Sequence, residues 1–315
     1  MIFLSDHTFL SDDNPRFRFY IMIEGKKKQM SIKRFLSRTY MKVKHEALRI
    51  KVKNQEWREG VTQQKRNPEV MISLTSYPKR FPEIELCIKS LVNQSMKADR
   101  IVLWLGNDTS IVEMERLKDK YASYGLEVYR DADNNFYSHK KYYYAMRDYP
   151  DDIIVTADDD LIYPPDWLSS LYCSYVKHPD CISARRVGRI TWDAQGQPLP
   201  YIQWPGEVKA KAPSHSLYAT TGAGALFPPR CLGKEVLNHA ISIKKARTAD
   251  DLWIKMMAVL SSVKVVWAEN TMIMPTTINL HQDQALSNMN VENGQNDIIF
   301  RDLCAYYQLG ENDFS

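Results

Sequence analysis

From residue 70 onward, short apolar segments alternate with amphipathic helical segments, and this order constrains the fold more than any other feature. The apolar segments that predict strands are residues 70–74, 101–105, 126–129 and 153–156. The segments that predict helices between them are residues 82–93, 112–124 and 139–147. Because parallel neighbours need a crossover connection, this order predicts an α/β fold with a doubly wound, mainly parallel sheet. Such sheets bind ligands beyond the carboxyl ends of their strands.

The 315 residues are enough for one large domain with an appendage. We predict an N-terminal extension over residues 1–66, the main domain over 67–290 and a helical tail over 291–315. The five cysteines are odd in number and form no CxxC pair, so neither a disulfide framework nor structural zinc is expected. The first residues lack the basic start and apolar core of a secretory signal, which favours a cytoplasmic location.

The predicted extension is strongly basic. Residues 26–66 carry fourteen Lys or Arg and three Glu, whereas residues 67–315 carry more acids than bases. Apolar residues recur there every three or four positions, as expected for one face of a helix: Ile32, Phe35, Leu36, Tyr40, Val43, Ala47 and Ile50. A basic amphipathic helix of this kind either lies on an anionic membrane or packs its apolar stripe on the main domain. Nucleic acid is not expected, because no aromatic platform or known binding module accompanies the charge.

Three consecutive carboxylates, Asp158, Asp159 and Asp160, directly follow the fourth predicted strand. Like charges this close raise one another's pKa unless a cation is shared. Carboxylate oxygens suit Mg²⁺ or Mn²⁺, which typically use one or two carboxylates together with substrate phosphates. The alternative is a solvated turn or a helix cap.

The residues around this triplet resemble the DXD region of GT-A nucleotide-sugar glycosyltransferases of the family-2 type. Bacterial enzymes of this type build capsule, O-antigen of lipopolysaccharide and related surface glycans. The resemblance is carried by residues 152–168, and by four further segments in the expected order: residues 72–80, 138–141, 218–229 and 248–253. It extends over about residues 70–285, so the first 66 residues have no counterpart in it.

The resemblance implies a role for several polar residues at the strand ends. Those implied to bind the nucleotide-sugar are Thr75, Ser76, Tyr77, Arg80, Asp131, Lys140, Lys141, Asp158 and Asp159. Asp131 is implied to read the nucleotide base, and either lysine is implied to face the phosphates. The residues themselves leave alternatives open: a turn at Asp131 and a solvated helix start at the two lysines.

The implied metal ligands are Asp158, Asp160 and His281, holding Mn²⁺ or Mg²⁺. His281 rests on the weakest likeness, and an ordinary polar role is its alternative.

The acidic pair Asp250 and Asp251 resembles the pair that carries the general base in inverting members. By position, Asp251 is the expected base, and Asp250 is expected to orient the acceptor or to cap the helix. The expected acceptor-side residues are Gly222, Ala223, Gly224 and Trp204. Glycines permit a close approach of the backbone to a sugar, although a tight turn would use them equally, and burial in the core is the alternative for the tryptophan.

Together these features predict a metal-dependent, inverting glycosyltransferase. It would transfer a sugar from a nucleotide-sugar, expected to be a UDP-sugar, to a glycan or lipid-linked glycan. The predicted location is cytoplasmic, peripheral on the inner face of the plasma membrane through residues 26–66. A retaining transferase with the same metal site and a non-catalytic glycan-binding protein are the alternatives. A sugar-phosphate nucleotidyltransferase is disfavoured, because no glycine-rich phosphate loop follows the first strand.

Overall fold

The computed structural model describes residues 18–23, 26–134, 136–269, 274–278 and 294–315. The chain divides into two compact units, residues 1–50 and residues 51–315. The second unit holds the main sheet and the acidic residues singled out from the sequence.

The first unit contains a hairpin and most of a long helix. Strand β1 (Arg18–Ile23) pairs antiparallel with β2 (Lys26–Ser31), and α1 (Ile32–Asn54) follows at once. The basic helix predicted from the apolar spacing is therefore present. The hairpin that precedes the helix was not predicted from the sequence. In the described part of the chain no helix is both long and apolar enough to cross a membrane.

The second unit is built on a seven-stranded sheet with the order β12-β8-β11-β6-β3-β4-β5. Its predicted parallel part is confirmed: β3 (Val70–Thr75), β4 (Arg100–Leu105), β5 (Leu126–Arg130) and β6 (Ile153–Asp158). The interiors of β3, β4 and β6 are almost fully buried, since crossover helices cover such a sheet, whereas the edge strand β5 is partly exposed. These helices are α2 (Ile84–Val92), α3 (Ile111–Tyr121) and α4 (Lys140–Asp148).

The other half of the sheet departs from the parallel pattern. Beyond the two-residue β7 (Leu161–Ile162) and helix α5 (Trp167–Lys177), β8 (Ile182–Ala184) joins the sheet. Strand β11 (Ala225–Phe227) runs antiparallel to both β6 and β8, and β12 (Val265–Trp267) runs parallel to β8. Three-residue strands show too little periodicity to be recognised in the sequence.

A small ribbon lies between β8 and β11 in the chain. Strand β9 (Val187–Arg189) pairs antiparallel with β10 (Leu217–Ala219), so that residues 190–216 form a long excursion closed at its base. Helices α6 (His239–Ala246) and α7 (Asp250–Leu260) follow β11. The remaining described elements are β13 (Thr276–Thr277), paired with β7, and α8 (Gln295–Tyr307).

The predicted boundaries at residues 66 and 290 both fall inside the second unit. Before residue 66, Trp57 stacks on Tyr124 with ring centroids 4.7 Å apart. Arg66 forms a 2.7 Å ion pair with the buried Asp99. After residue 290, Phe300 and Leu303 of α8 are buried in the core. The structure thus moves the N-terminal boundary to residue 50 and joins the described part of the predicted tail to the main domain.

Candidate active site

The carboxyl ends of β3 and β6 meet at one point of the sheet. The two strands are parallel, and their register pairs Thr75 with Asp158. Just beyond the strands, the Ser76 hydroxyl donates to the Asp159 carboxylate over 2.5 Å. Two of the segments that the sequence singled out therefore form a single polar edge, as expected for parallel strands.

The three carboxylates of the triplet lie in three different environments. Asp158 accepts a hydrogen bond from Lys141, whereas Asp160 forms a 3.2 Å ion pair with Arg80. Asp159 is half-buried, and the loss of hydration raises its pKa to about 7. Because each carboxylate has its own polar partner, the like charges can coexist in one turn.

Lys141 connects this edge to the second acidic cluster. Its side chain is only 3% exposed, and its Nζ lies 2.7 Å from Asp158 Oδ1 and 2.9 Å from Asp250 Oδ2. The main-chain carbonyl of Lys141 accepts a 2.5 Å hydrogen bond from the buried Ser73 hydroxyl of β3, which fixes the residue on the sheet. Burial disfavours the ammonium form, but the neighbouring carboxylates outweigh it and raise the pKa of Lys141. The lysine stays charged and links the two clusters.

The two carboxylates at the start of α7 have opposite pKa shifts. Burial would raise the pKa of Asp250, but the charge of Lys141 and the hydrogen bonds from Lys141 and Thr221 outweigh it and lower that pKa to about 2. Burial, and then the charge of Asp250, raises the pKa of Asp251 to about 6. One carboxylate of the pair is therefore held ionised, and the other is able to take up a proton near neutral pH. Divergent shifts of this kind are typical of acid–base sites.

Thr221 binds both members of the pair, a role that no sequence pattern indicated. Its main-chain N–H donates to Asp251 Oδ1 over 2.8 Å. Its hydroxyl lies 2.6 Å from Asp251 Oδ1 and 2.9 Å from Asp250 Oδ2, so its one proton is shared in a hydrogen bond to both carboxylates. Asp251 Oδ1 thus receives two donors from Thr221.

His139 supports the same cluster from inside the protein. Its Nε2 lies 2.9 Å from the carbonyl of Ala246, which only accepts, so this nitrogen carries the proton. Its Nδ1 lies 2.7 Å from the Tyr142 hydroxyl, which donates to it. Burial lowers the pKa of His139 and favours this neutral form. The contact ties the start of α4 to the turn that precedes Asp250.

The expected acceptor-side residues are packed against the site rather than open to solvent. A methyl group on Gly222 would lie 1.8 Å from Asp158 Oδ2, and one on Gly224, where φ is +112°, would lie 2.2 Å from the Trp167 indole nitrogen. Ala223 is fully buried between them. These glycines therefore make room for a carboxylate and a tryptophan of the protein itself, and the approach of a sugar to their backbone stays a prediction.

Trp204 lies in the core, which was the alternative considered for it. The ring is 6% exposed, and its N–H donates to the Leu199 carbonyl over 2.8 Å. It packs edge-to-face on Phe300 at 4.9 Å. Tyr201 and Tyr218 contact its ring.

On the nucleotide side, Asp131 stands at the end of β5, two strands away from β3. Its carboxylate accepts from the Tyr144 hydroxyl at 2.7 Å and from the main-chain N–H of Asp133 at 2.9 Å, so it shapes its own turn. Tyr77 is 41% exposed beside Arg80. Lys140 is buried near Asp108 and Asp159, and burial lowers its pKa.

The chemistry of the triplet fits a divalent cation. Asp158 and Asp160 supply partly exposed carboxylate oxygens at one edge, which are hard ligands of the kind that Mg²⁺ and Mn²⁺ prefer. The described residues contain no ready-made cluster of three or more His, Cys, Asp or Glu side chains for a metal, so substrate phosphates would have to complete the ligand set. His281 lies outside the described residues.

Comparison with known proteins gives a family for this segment. Residues 74–226 match the sequence profile of "Glycosyl transferase family 2". The match runs from β3 to β11 and includes Lys141, the triplet and Thr221, but not Asp250 or Asp251. No curated protein shows a significant match to the chain.

The chain is also similar to several solved structures, two of which contain bound ligands. One is the mannosyltransferase PcManGT from Pyrobaculum calidifontis in complex with GDP-Man and Mn²⁺, with 12% identity, a TM-score of 0.48, and coverage of 86% of this chain and 74% of that one. Another is S. aureus TarS 1-349 in complex with UDP-GlcNAc, with 15% identity, a TM-score of 0.44, and coverage of 69% and 61%. The chain thus spans about three fifths of that TarS fragment.

The family profile agrees with the strand order and with the acidic residues at the carboxyl edge of the sheet. Residues 74–226 are therefore similar to a Glycosyl transferase family 2 domain, and this similarity, with the mainly parallel sheet of the GT-A fold, supports a glycosyltransferase.

Proposed function

We propose that the protein transfers a sugar from a UDP-sugar to a glycan or lipid-linked glycan, with a divalent cation and with inversion at the anomeric carbon. The observation that carries the proposal is the bridge of Lys141 between Asp158 and Asp250. It joins a carboxylate suited to metal and diphosphate to a carboxylate pair suited to proton transfer. An enzyme that moves a sugar between two oxygen atoms needs both functions within one cleft.

In this proposal, Asp251 is the general base. Its Oδ1 is occupied by the two donors of Thr221, which leaves Oδ2 to take the proton of the acceptor hydroxyl. The hydroxyl oxygen then attacks the anomeric carbon while the bond to the diphosphate breaks. Asp250 stays ionised beside Lys141, so it keeps the pKa of its neighbour raised and makes Asp251 a better base than an ordinary aspartate.

The donor side is assigned to the triplet edge. Asp158 and Asp160 would hold Mn²⁺ or Mg²⁺, which supplies a Lewis acid for the negative charge that develops on the leaving diphosphate. The remaining nucleotide-sugar contacts are proposed to come from residues at the same edge and at the end of β5: Thr75, Ser76, Tyr77, Arg80, Asp131, Lys140, Lys141 and Asp159. Arg80 already lies beside Asp160 and is available to exchange that contact for a phosphate oxygen.

The test measures the melting temperature, and then sugar transfer, with a panel of nucleotide-sugars in the presence and absence of Mn²⁺. We expect UDP and one UDP-sugar to raise the melting temperature only with metal, because a ligand stabilises the state that binds it. Asp160→Ala should lose this metal-dependent rise while its melting temperature without ligand stays close to that of the wild type. A metal-dependent rise that survives in Asp160→Ala, or transfer that persists in EDTA, would overturn the metal assignment.

The anomeric configuration of the product separates the two transfer mechanisms. Inversion is expected from a single displacement that uses Asp251 as base, whereas retention would point to the alternative in which this residue has no such role.

The acceptor and the location are proposed from the resemblance and from the charge of the N-terminal arm. We place the reaction in the synthesis of bacterial surface glycans such as capsule or lipopolysaccharide, at the inner face of the plasma membrane. The support is the basic helix α1, on which Tyr40 and Val43 are 58% and 63% exposed. Exposed apolar residues among lysines suit an anionic bilayer.

A further inference from the structure

Arg186 is a cation next to the anchor of Asp251. It follows β8 and directly precedes β9, and its carbonyl accepts from the main-chain N–H of Thr220 over 3.0 Å. Thr221, the residue after Thr220, binds Asp251 through its main-chain N–H and its hydroxyl. The backbone of Arg186 is thus one hydrogen bond and one residue away from the group that fixes Asp251.

The guanidinium of Arg186 lacks an anionic partner in the described part of the chain. Its Nε is buried without a hydrogen bond, and none of the ion pairs of the described residues includes it. The residue before it differs: the buried Arg185 donates to the Ser170 hydroxyl and lies 4.0 Å from Asp166. A half-buried charge without a partner is unfavourable, so the environment of Arg186 favours the binding of an anion.

Two tyrosines interact electrostatically with both this cation and Asp251. Burial raises the pKa of both Tyr201 and Tyr218, Asp251 adds to the rise, and Arg186 opposes it, so all four groups lie within electrostatic reach. The Tyr218 hydroxyl donates to the Tyr201 hydroxyl over 3.2 Å, which leaves the Tyr201 proton free for another acceptor. Tyr218 is held in place because its ring packs on Gly188, where a methyl group would lie 2.3 Å from it.

We propose that Arg186 and Tyr201 form an acceptor subsite for a negatively charged substituent, a carboxylate or a phosphate, on the sugar whose hydroxyl Asp251 deprotonates. A guanidinium presents paired N–H donors that match either oxyanion, and the Tyr201 hydroxyl adds a third donor. Neutralising Asp251 is not the role of Arg186, because the charges that set the pKa of Asp251 are those of Asp250 and Lys141. The proposal rests on the proposed transferase function and adds the class of acceptor.

The experiment measures the binding of charged and neutral sugars by saturation-transfer NMR, in the presence of UDP and Mn²⁺. The probes are methyl β-D-glucuronide, its neutral counterpart methyl β-D-glucoside, and glucose 6-phosphate. We expect at least one charged probe to bind about tenfold or more tightly than the neutral one. The stronger of the two charged probes identifies the substituent as a sugar carboxylate or a phosphate ester.

Three variants test the assignment of residues. Arg186→Gln should abolish the preference for the charged probe, and Tyr201→Phe should weaken it. Arg189→Gln removes the same charge from the exposed end of β9 and should leave the preference unchanged. Melting temperatures of all three verify that they fold; if Arg186→Gln does not fold, Tyr201→Phe and the salt dependence of the preference decide the question.

Equal binding of charged and neutral sugars overturns the subsite, as does a preference that survives Arg186→Gln. The subsite is also overturned if no charged probe binds at a concentration of about 10 mM, because that result excludes even millimolar affinity. The UDP-induced rise in melting temperature, recorded in the same samples, keeps the two proposals apart. A protein that UDP stabilises but that shows no charge preference lacks only the anionic subsite. A protein that no nucleotide stabilises contradicts the proposed function itself.

Discussion

Gly222 lies directly against the carboxylate of Asp158, so that the first acid of the triplet fits only because this position has no side chain. A residue of the loop before β11 therefore sets the position of a carboxylate at the end of β6. The donor half and the acceptor half of the proposed site meet at this contact.

Gly222→Ala is predicted to displace the Asp158 carboxylate, since the added methyl group would stand 1.8 Å from Oδ2. We expect the affinity for UDP with Mn²⁺ to fall about tenfold or more, and the unfolding free energy to fall by about 1–3 kcal/mol through overpacking. Titration calorimetry and urea unfolding measure the two effects. Gly206→Ala, where a methyl group would meet nothing within 4 Å, is the matched control and should change neither.

Asp251→Asn tests the base, because the amide keeps the size and most of the hydrogen bonds of the carboxylate. We predict that kcat falls by about 10²–10⁴-fold, the usual contribution of general-base catalysis, while UDP-sugar affinity stays within about threefold. Asp250→Asn should reduce kcat less. Near-normal transfer by Asp251→Asn with collapse in Asp250→Asn would show that the roles are exchanged. Normal transfer by both variants would remove the base from this pair and favour retention.

The pH profile of transfer is predicted to have an acidic limb near pH 6, because the pKa of Asp251 is raised to about 6 and only its ionised form accepts a proton. Below that pH, kcat should fall as the carboxylate becomes protonated. Asp250→Asn should move the limb to lower pH, since the charge of Asp250 is one cause of the raised pKa. A limb that stays in place in the residual activity of Asp251→Asn would belong to another group.

The N-terminal helix is predicted to bind anionic vesicles. Each lysine near such a surface contributes about 1 kcal/mol, so Lys42→Gln with Lys44→Gln should weaken binding roughly thirtyfold. Sedimentation with phosphatidylserine vesicles measures it, and rising salt should weaken the wild type as well. The exposed Lys118 and Lys177, changed in the same way, serve as the control. If both pairs of substitutions weaken vesicle binding equally, or if the wild type does not bind, then α1 packs on protein rather than on a membrane.

Lys255 is a buried cation of α7 that forms no ion pair with the described carboxylates; its ammonium donates to the His215 carbonyl and lies 5.4 Å from the Phe314 ring centre. Burial lowers its pKa to about 7. Between pH 7 and the ordinary value of 10.5, the unfolded chain binds a proton that the folded chain does not, so stability should rise with pH over this window.

Lys255→Met keeps the length of the side chain and removes the amine. We predict that it abolishes this slope and raises the unfolding free energy at pH 7 by about 2 kcal/mol, the relief of the buried charge less the loss of one hydrogen bond. Urea unfolding from pH 6 to 10 measures both. The exposed Lys264→Met should keep the slope, and an unchanged slope in Lys255→Met would assign it elsewhere.

The parallel half of the sheet could be predicted because each strand is a continuous apolar run that ends in polar residues. Asp158 and the other strand-end acids follow from the same pattern. The antiparallel β11 could not be predicted, since its three residues carry no period of their own. Thr221 and the packing role of Gly222 depend on contacts with residues more than 25 and 60 positions away, about which local sequence carries no information.

The pairing of Arg189 with Leu217 closes the excursion of residues 190–216 at its base, and this closure determines where related proteins can differ. Both ends of the excursion leave from adjacent positions of one short ribbon, so its length and composition outside the buried Trp204 can vary while β9, β10 and the acidic pair keep their places. Tyr201 belongs to the excursion, whereas Arg186 and Asp251 do not. Relatives that act on different acceptors could therefore diverge by exchanging this one insert, with the proton-transfer machinery inherited unchanged.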